Sequence, residues 1–565
     1  MVQQKWIALS NTTLGQLMVT INTSIIIVAL PPIFRGIGLQ PLTHGSFPYL
    51  LWVIMSYMIV VSVLLVAVGR LSDMYGRVRL FNFGFLVFTI GSILLYLTPG
   101  KGDAGALELI IFRIIQAVGG SFIMANSFAI ITDNFGPEDR GFAMAVNSVA
   151  SVSGVSIGIV IGGILSIIYW RDVFLLSVPV SIFGTIWSYS KLQETSQRKK
   201  SGLDIPGNFT FAGGIIILLI GITYGITPYK KDPMGWDNPM VLLALSIGIL
   251  LLIAFPFIEK RMKNPMFRLE LFKIREFSIG NFTGFISAVG MMGLLYMLTL
   301  LFQGIWLPIH GYPFYVTPLW AGIYMLPMTV SMGVFGIIGG ILSDKHGTKW
   351  LTSIGLFISG LALILLALLP YNFIYIFMGI ILFVFGVGYG MFNAPNISAV
   401  MGAVPIEYRG TASGMLNTMR NVGYTASMGL FFSILIYGLS LSLPSTISYG
   451  LASEHASSLI PYMKNLPPTQ AIFGSFLGVN PITVFIKTVP SSVINSIGGS
   501  TLSTITGNKF FSIILAPAFM GSLDNVFYIA AGMTILSGFI SLFRETAGKK
   551  RVKKRQKNIK SKKIN

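Results

Sequence analysis

The chain has 565 residues, 53% of them hydrophobic and 10% charged, with a net charge of +20 and no cysteine. An ordinary soluble domain carries roughly 25% charged residues, so this composition demands lipid as solvent and predicts an all-α polytopic membrane protein. The missing cysteines exclude a disulfide framework and thiolate metal sites.

Lys5 is the only early charge and no small-residue cleavage pattern follows it, so no cleavable signal is expected. Apolar runs predict fourteen spans, the first eight at 13–33, 48–68, 80–98, 109–131, 142–166, 173–190, 208–226 and 239–258. The other six fall at 277–302, 319–342, 351–369, 373–398, 411–438 and 525–543. An even number puts both termini on one side. With the termini inside, 29 of the 39 Lys and Arg lie on that side, 8 lie outside, and Arg113 and Arg420 lie within spans. Positive loops stay cytoplasmic, so both termini are expected in the cytoplasm, beneath the cell membrane. The charge is thus an orientation signal and not a nucleic-acid surface.

Span 1 carries a polar stripe, Thr13, Gln16, Thr20 and Thr23, with Asn22 and Ser24 beside it. Its spacing is one helix face; it fits a cavity wall or helix–helix hydrogen bonding. After span 2 comes Gly69-Arg70-Leu71-Ser72-Asp73-Met74-Tyr75-Gly76-Arg77-Val78-Arg79. Its first glycine permits close helix approach and its second suits a tight turn of positive φ. Asp73 is placed to cap a helix or to meet Arg70, Arg77 or a neighbouring helix. The loop reads as an ordinary cytoplasmic turn or as a charged latch between helix bundles. It returns as Gly340-Ile341-Leu342-Ser343-Asp344-Lys345-His346-Gly347-Thr348-Lys349, 271 residues later. Arg140-Gly141 and Arg409-Gly410, 269 residues apart, repeat that offset. The chain reads as built twice, with a substrate site between parallel halves.

In span 4, Arg113 puts a cation among lipid tails at a cost of several kcal/mol, so it needs a cavity or a partner. Gln116 shares its face. Glu108 and Asp133 mark the ends of that span. In span 5, Gly154, Gly158 and Gly162, followed by Gly163, form a small-residue ridge for close packing. Spans 7 and 8 lie between the basic stretches Arg198–Lys200 and Lys260–Arg275 and interrupt the twofold plan. Arg420, near the cytoplasmic end of span 13, is read as snorkelling to water.

Segment 439–524, rich in Ser, Gly and Pro, is expected outside as a hairpin or lid. The tail 544–565 holds eleven basic residues, a disordered end or a grip on anionic lipid headgroups. All nineteen acids fall in loops or at span ends, leaving no mid-membrane proton carrier. Candidate cavity residues are Thr20, Asn22, Tyr57, Asn126, Asn281, Gln303 and Asn393, with Arg113 and Gln116. His44, His310, His346 and His455 read as solvated, with no metal site.

These residues resemble the major facilitator superfamily, specifically its fourteen-span drug:proton antiporter branch. The Gly69–Arg79 loop fits the superfamily's loop motif, and the second copy fits with Lys345-His346 and Thr348 in variable positions. Arg113 and Gln116 match the span-4 motif, with Ala117 where it has glycine. Gly158, Gly162 and Gly163 match the antiporter motif of span 5, with Ile159 for its proline. Trp170-Arg171, Phe174 and Val178-Pro179 resemble the span-6 signature, with Ser177 where asparagine is usual. Asn22 to Pro31 resembles the span-1 motif, but Asn22 replaces its acid and Ile27 its asparagine. Leu203-Asp204 with Gly207 resembles the entry to the extra pair of spans.

The resemblance implies two six-helix bundles in pseudo-twofold arrangement plus two central helices. It divides the chain into 1–192, a linker at 193–276 with the extra pair, and 277–543, with 439–524 inserted before the last span. It implies proton-coupled export of small amphipathic compounds by alternating access, in a monomer with no cofactor. An importer or symporter of an anionic or neutral metabolite is the alternative. Asn22 cannot titrate, so a neutral or anionic substrate suits the core better than a dication. Coupling then falls to Asp73, Glu108, another peripheral acid or the substrate. No phosphate-cradling loop marks a pump, and no His, Asp or Cys cluster marks an enzyme.

Overall fold

Lipid offers no hydrogen-bond partner, so each crossing segment closes its backbone bonds within itself as a helix. The computed structural model describes residues 2–544 apart from 41, 43, 44, 137–139, 196–201, 203, 231, 263, 264, 266, 406, 407 and 465. Among the described residues fourteen helices have membrane length and apolarity, one at each predicted span. The first six are Gln4–Gly36 (α1), Ser46–Tyr75 (α2), Arg77–Leu97 (α3), Gly102–Asn134 (α4), Val149–Ile168 (α5) and Asp172–Lys191 (α6). Ile205–Gly225 (α7) and Pro239–Glu259 (α8) follow. The last six are Arg275–Ile309 (α9), Thr317–Ser343 (α10), Thr348–Ala367 (α11), Tyr375–Ala403 (α12), Arg409–Ser453 (α13) and Lys509–Ser541 (α14). Among the described residues there is no strand.

The packing repeats. In the first set α1 touches α4, α5 and α6, α2 touches α4, and α3 touches α4 and α6. The same six pairings recur among α9–α14 when α9 takes the place of α1 and the others follow in order. Between the sets, α2 meets α13 and α5 meets α10, so each set offers its second helix to the other's fifth. That reciprocity is the contact pattern of a pseudo-twofold axis. The helices α7 and α8 pack on each other, and α7 rests on both α2 and α13.

The two loops share a backbone as well as a sequence. Gly76 turns the chain from α2 into α3 at φ 109°, its N–H donating to the Ser72 carbonyl at 2.9 Å. Gly347 does the same between α10 and α11 at φ 86°, donating to Ser343 at 2.9 Å. Positive φ is why both are glycine. Gly69 and Gly340 differ from expectation: a Cβ on either would meet nothing within 4 Å, so the close approach is not made in this conformation. The face bearing these turns is called the loop face below.

Gly154, Gly158 and Gly162 lie against α1. A Cβ on Gly158 would stand 2.1 Å from Ser24 Oγ and 2.6 Å from the Ile21 carbonyl oxygen. Gly163 faces away from that ridge, with Leu319 Cα of α10 at 2.6 Å from its Cβ position. It therefore belongs to the contact between the two sets.

Segment 439–524, expected as a hairpin or lid, begins and ends as helix: α13 runs on to Ser453 and α14 starts near Lys509, held together by Gly438 against Ser522. The remainder forms short helices, including Pro468–Leu477, whose residues are all buried except Gln470. The apolar side chains Ile472, Phe473, Phe476 and Leu477 drive that burial. Arg544, assigned to the solvated tail, is instead buried, donating to Thr283 Oγ1 at 2.9 Å and to Asn396 Oδ1. The rest of the tail lies outside the described residues. Finally, Asp524 falls inside α14 and not at a span end, its enclosed Oδ1 having no hydrogen bond.

The glycine ridge generates a stability test. Gly158→Ala should lower the thermal stability of the purified protein by about 1–3 kcal/mol through overpacking. Gly69→Ala, facing open space, should leave it within about 0.5 kcal/mol. Equal melting of the two variants contradicts the packing.

Candidate functional site

A cavity lies between the two helix sets. Its walls come from both. The predicted stripe of α1 supplies Gln16, Thr20 and Thr23; α2 supplies Tyr57; α12 supplies Asn393. A second cavity sits at the loop face between Asp73, Arg70 and Arg77 of one set and Arg409–Gly414 of the other. Met124, Phe128 and Asn417 border both, so the central space continues toward the loop face.

The opposite end is sealed. Phe34 at the end of α1 meets Phe473 at 5.8 Å between ring centroids, in a T-shaped contact. Phe47 at the start of α2 lies 6.3 Å from Phe473 and 6.1 Å from Phe432 of α13. Phe473 comes from the inserted segment, anchored by Ser475 donating to the Gly304 carbonyl at 2.6 Å. Ser512 donates to the same carbonyl at 3.0 Å. Gly304 sits in a π-helical turn, Leu301–Trp306, of the kind that exposes backbone acceptors.

Arg113 does not line the cavity. It is 1% exposed, one layer behind Tyr57, with the guanidinium carbon 4.4 Å from the centre of that ring. Its Nη1 donates to Asn22 Oδ1 at 2.5 Å and to Gln116 Oε1 at 2.8 Å. Asn22 in turn donates to Ser177 at 3.3 Å, and Gln116 to Ser92 at 2.8 Å. Two of the motif departures thus sit in one network: Asn22 and Ser177 bond to each other. Asn22, Gln116 and the Tyr57 ring, which hold Arg113, are all neutral.

The other candidates divide. Thr20, Tyr57 and Asn393 line the central cavity, and Asn126 lines the one at the loop face. Asn281 is buried on α9 and donates to its own helix at the Phe277 carbonyl, 2.8 Å. Gln303 crosses between the sets, donating to the Val28 carbonyl at 3.0 Å. Arg420, read as snorkelling, lines the central cavity and donates to Tyr424 at 3.1 Å. The signal was its spacing: Asn417, Arg420, Asn421 and Tyr424 recur at three to four residues on one face of α13.

At the loop face Arg77 bridges Asp73 at 2.8 Å and Asp133 at 2.6 Å, joining α2, α3 and α4. Glu194 Oε2 caps α3 by accepting from the Val78 N–H at 2.9 Å, a partner the loop motif did not reveal. Arg70 donates to the carbonyls of Gly202 and Pro265, beside the extra helix pair. Asp204 caps α7 through the Gly207 N–H at 2.8 Å. The backbone of Asp344 is helical but its side chain lies outside the described residues, as does that of Arg140.

Comparison with known proteins adds three findings. The family model described as Major Facilitator Superfamily matches residues 12–428. The riboflavin transporter RibZ of Clostridioides difficile is 28% identical, over 80% of this chain and 94% of its own length. The multidrug transporter protein MdtP of Bacillus subtilis is 26% identical, over 88% of this chain and 86% of its own. Among solved structures, a bacterial homologue of the lysosomal transporter Spinster superposes with a TM-score of 0.55 at 16% identity. It covers 95% of this chain and 98% of its own. The human organic anion transporter MFSD10 gives 0.53 at 14% identity, over 84% of this chain and 98% of its own. These structural likenesses speak to fold.

The Arg113 network predicts a signed pair of effects. Asn22→Leu leaves a buried guanidinium short of an acceptor and should cost about 1–3 kcal/mol. Asn22→Asp puts a carboxylate at the accepting oxygen and should raise the melting temperature of the purified protein above that of Asn22→Leu. Equal melting temperatures contradict the network.

Proposed function

The chain belongs to the major facilitator superfamily of membrane transporters, and from that we propose that it exports small amphipathic compounds by proton-coupled alternating access. The observation that carries this reading is the central cavity, shared by both helix sets, continued toward one face and sealed at the other. Residues 1–192 and 277–543 are the two moving bundles, 193–276 is the linker that carries α7 and α8, and the loop face is cytoplasmic. The monomer is the working unit.

Asp73 with Gly76 and Arg77 acts as a latch, and Gly340, Asp344 and Gly347 as its counterpart. The ion pairs of Arg77 with Asp73 and Asp133 are in place while the cavity leads to this face. Closing that face brings α13 and α12 toward Gly69 and Gly340, where space is free. Proton coupling runs through an acid away from the central cavity. Asp524 is the strongest candidate, because its enclosed oxygen lacks the hydrogen bond that satisfies Glu108 Oε2 at the Gly100 N–H, 2.9 Å.

Relatives named for multidrug and antibiotic resistance support export. The relative named a riboflavin transporter supports a second reading, carriage of a neutral or anionic metabolite, in which the direction is import.

Proteoliposome transport with pH gradient and voltage imposed separately tests the proposal. Substrate movement against a proton gradient should be fast, and Asp73→Asn should slow it about tenfold, ~1.4 kcal/mol on the barrier, with binding unchanged. Asp524→Asn should abolish the response to the pH gradient. Transport indifferent to the gradient contradicts the coupling.

A further inference from the structure

The walls of the central cavity carry a charge preference. Among the described residues that line it there is no Asp or Glu, while Arg420 is on the wall. Arg420 is held by a neutral partner, the Tyr424 hydroxyl at 3.1 Å. A guanidinium at membrane depth is costly unless paired, so an anion entering the cavity gains what Arg420 lacks. Behind Tyr57 the second cation, Arg113, adds to the same positive field. The loop-face cavity does not add to this preference: Asp73 lines it with Arg70, Arg77 and Arg409, and Arg77 is paired with Asp73 and Asp133.

The rest of the lining selects shape. Met58, Met124, Met291, Met292 and Met332 come from four helices and face the cavity together. Thioethers are polarizable and conform to flat rings. Tyr57, Tyr389 and Tyr424 add aromatic faces with polar tips. Asn393, Asn417 and Asn421 offer amide donors beside Arg420.

Resting on the transporter reading, we propose that this cavity takes flat, conjugated organic anions, and that Arg420 is the residue that sets the charge preference. The anionic group sits at Arg420 and the Asn417–Asn421 amides, and the ring system lies among the methionines. An apolar dication, the other common cargo for an amphipathic cavity, finds no counter-charge there.

Fluorescein and rhodamine 6G share a xanthene ring and differ in charge, so binding of each to the purified full chain in nanodiscs, read by fluorescence anisotropy, isolates the charge. Fluorescein should bind at least about tenfold tighter, the equivalent of ~1.4 kcal/mol. Arg420→Gln should remove that advantage with rhodamine 6G unchanged or tighter, and Arg420→Lys should keep most of it. Should Arg420→Gln fail to fold, Asn421→Asp, which places a carboxylate on the same wall, should invert the preference. Tighter rhodamine 6G binding to the unaltered protein, or a preference that neither variant moves, overturns the proposal. Fluorescein bound with this preference but never carried into proteoliposomes contradicts the transport reading and leaves the anion site standing. Rhodamine 6G preferred and carried does the reverse.

Discussion

The contact on which this conformation depends is the cluster of Phe34, Phe47, Phe432 and Phe473 that closes the cavity opposite the loop face. Each aromatic pair contributes about 0.5–1.5 kcal/mol beyond area burial. Three pairs make a bias of a few kcal/mol. That is enough to favour one state strongly and small enough for a ligand to reverse, since a shift from 1:99 to 99:1 takes about 5.5 kcal/mol of differential binding. The cluster joins both helix sets, and its central member is supplied by the inserted segment. Ser475 and Ser512 fasten that segment region to the Gly304 carbonyl, so the seal moves with α9 and α14.

Under this seal the interior is positive and neutralised by dipoles alone. Arg113 has Asn22, Gln116 and the face of Tyr57 as partners, and Arg420 has Tyr424. A carboxylate at position 22 would convert the first group into an ion pair and cancel its field over the cavity. The asparagine keeps the field.

Much of this was legible in the sequence because lipid enforces simple rules. Span number followed from apolar length, and the doubling from two loops 271 residues apart. The glycine turns were readable because Gly76 and Gly347 adopt positive φ. The helical course of the inserted segment was not legible because composition reports Pro and Ser as loop formers, whereas here α13 keeps Pro444 within a packed helix. Arg420 was misjudged because its distance along the chain from the membrane edge says nothing about which side of the helix meets a cavity. Asn281 and Gln303 read as cavity polars, and their amides serve backbone carbonyls instead. Which polar residues share a cavity is set by several helices at once, and no single segment holds that information.

The central claim is that the two faces open and close reciprocally. The chain lacks cysteine, so introduced pairs carry spin labels without background. Tyr75 and Trp350 are exposed at the loop face, one in each set, and Tyr169 and Tyr371 are exposed at the other. Pulsed electron–electron distance measurements on both labelled pairs in nanodiscs, with and without a saturating transported compound, read the two faces separately. The account predicts that the Tyr75–Trp350 distances shorten as the Tyr169–Tyr371 distances lengthen. Distances that change together, or not at all in protein shown to transport, contradict it.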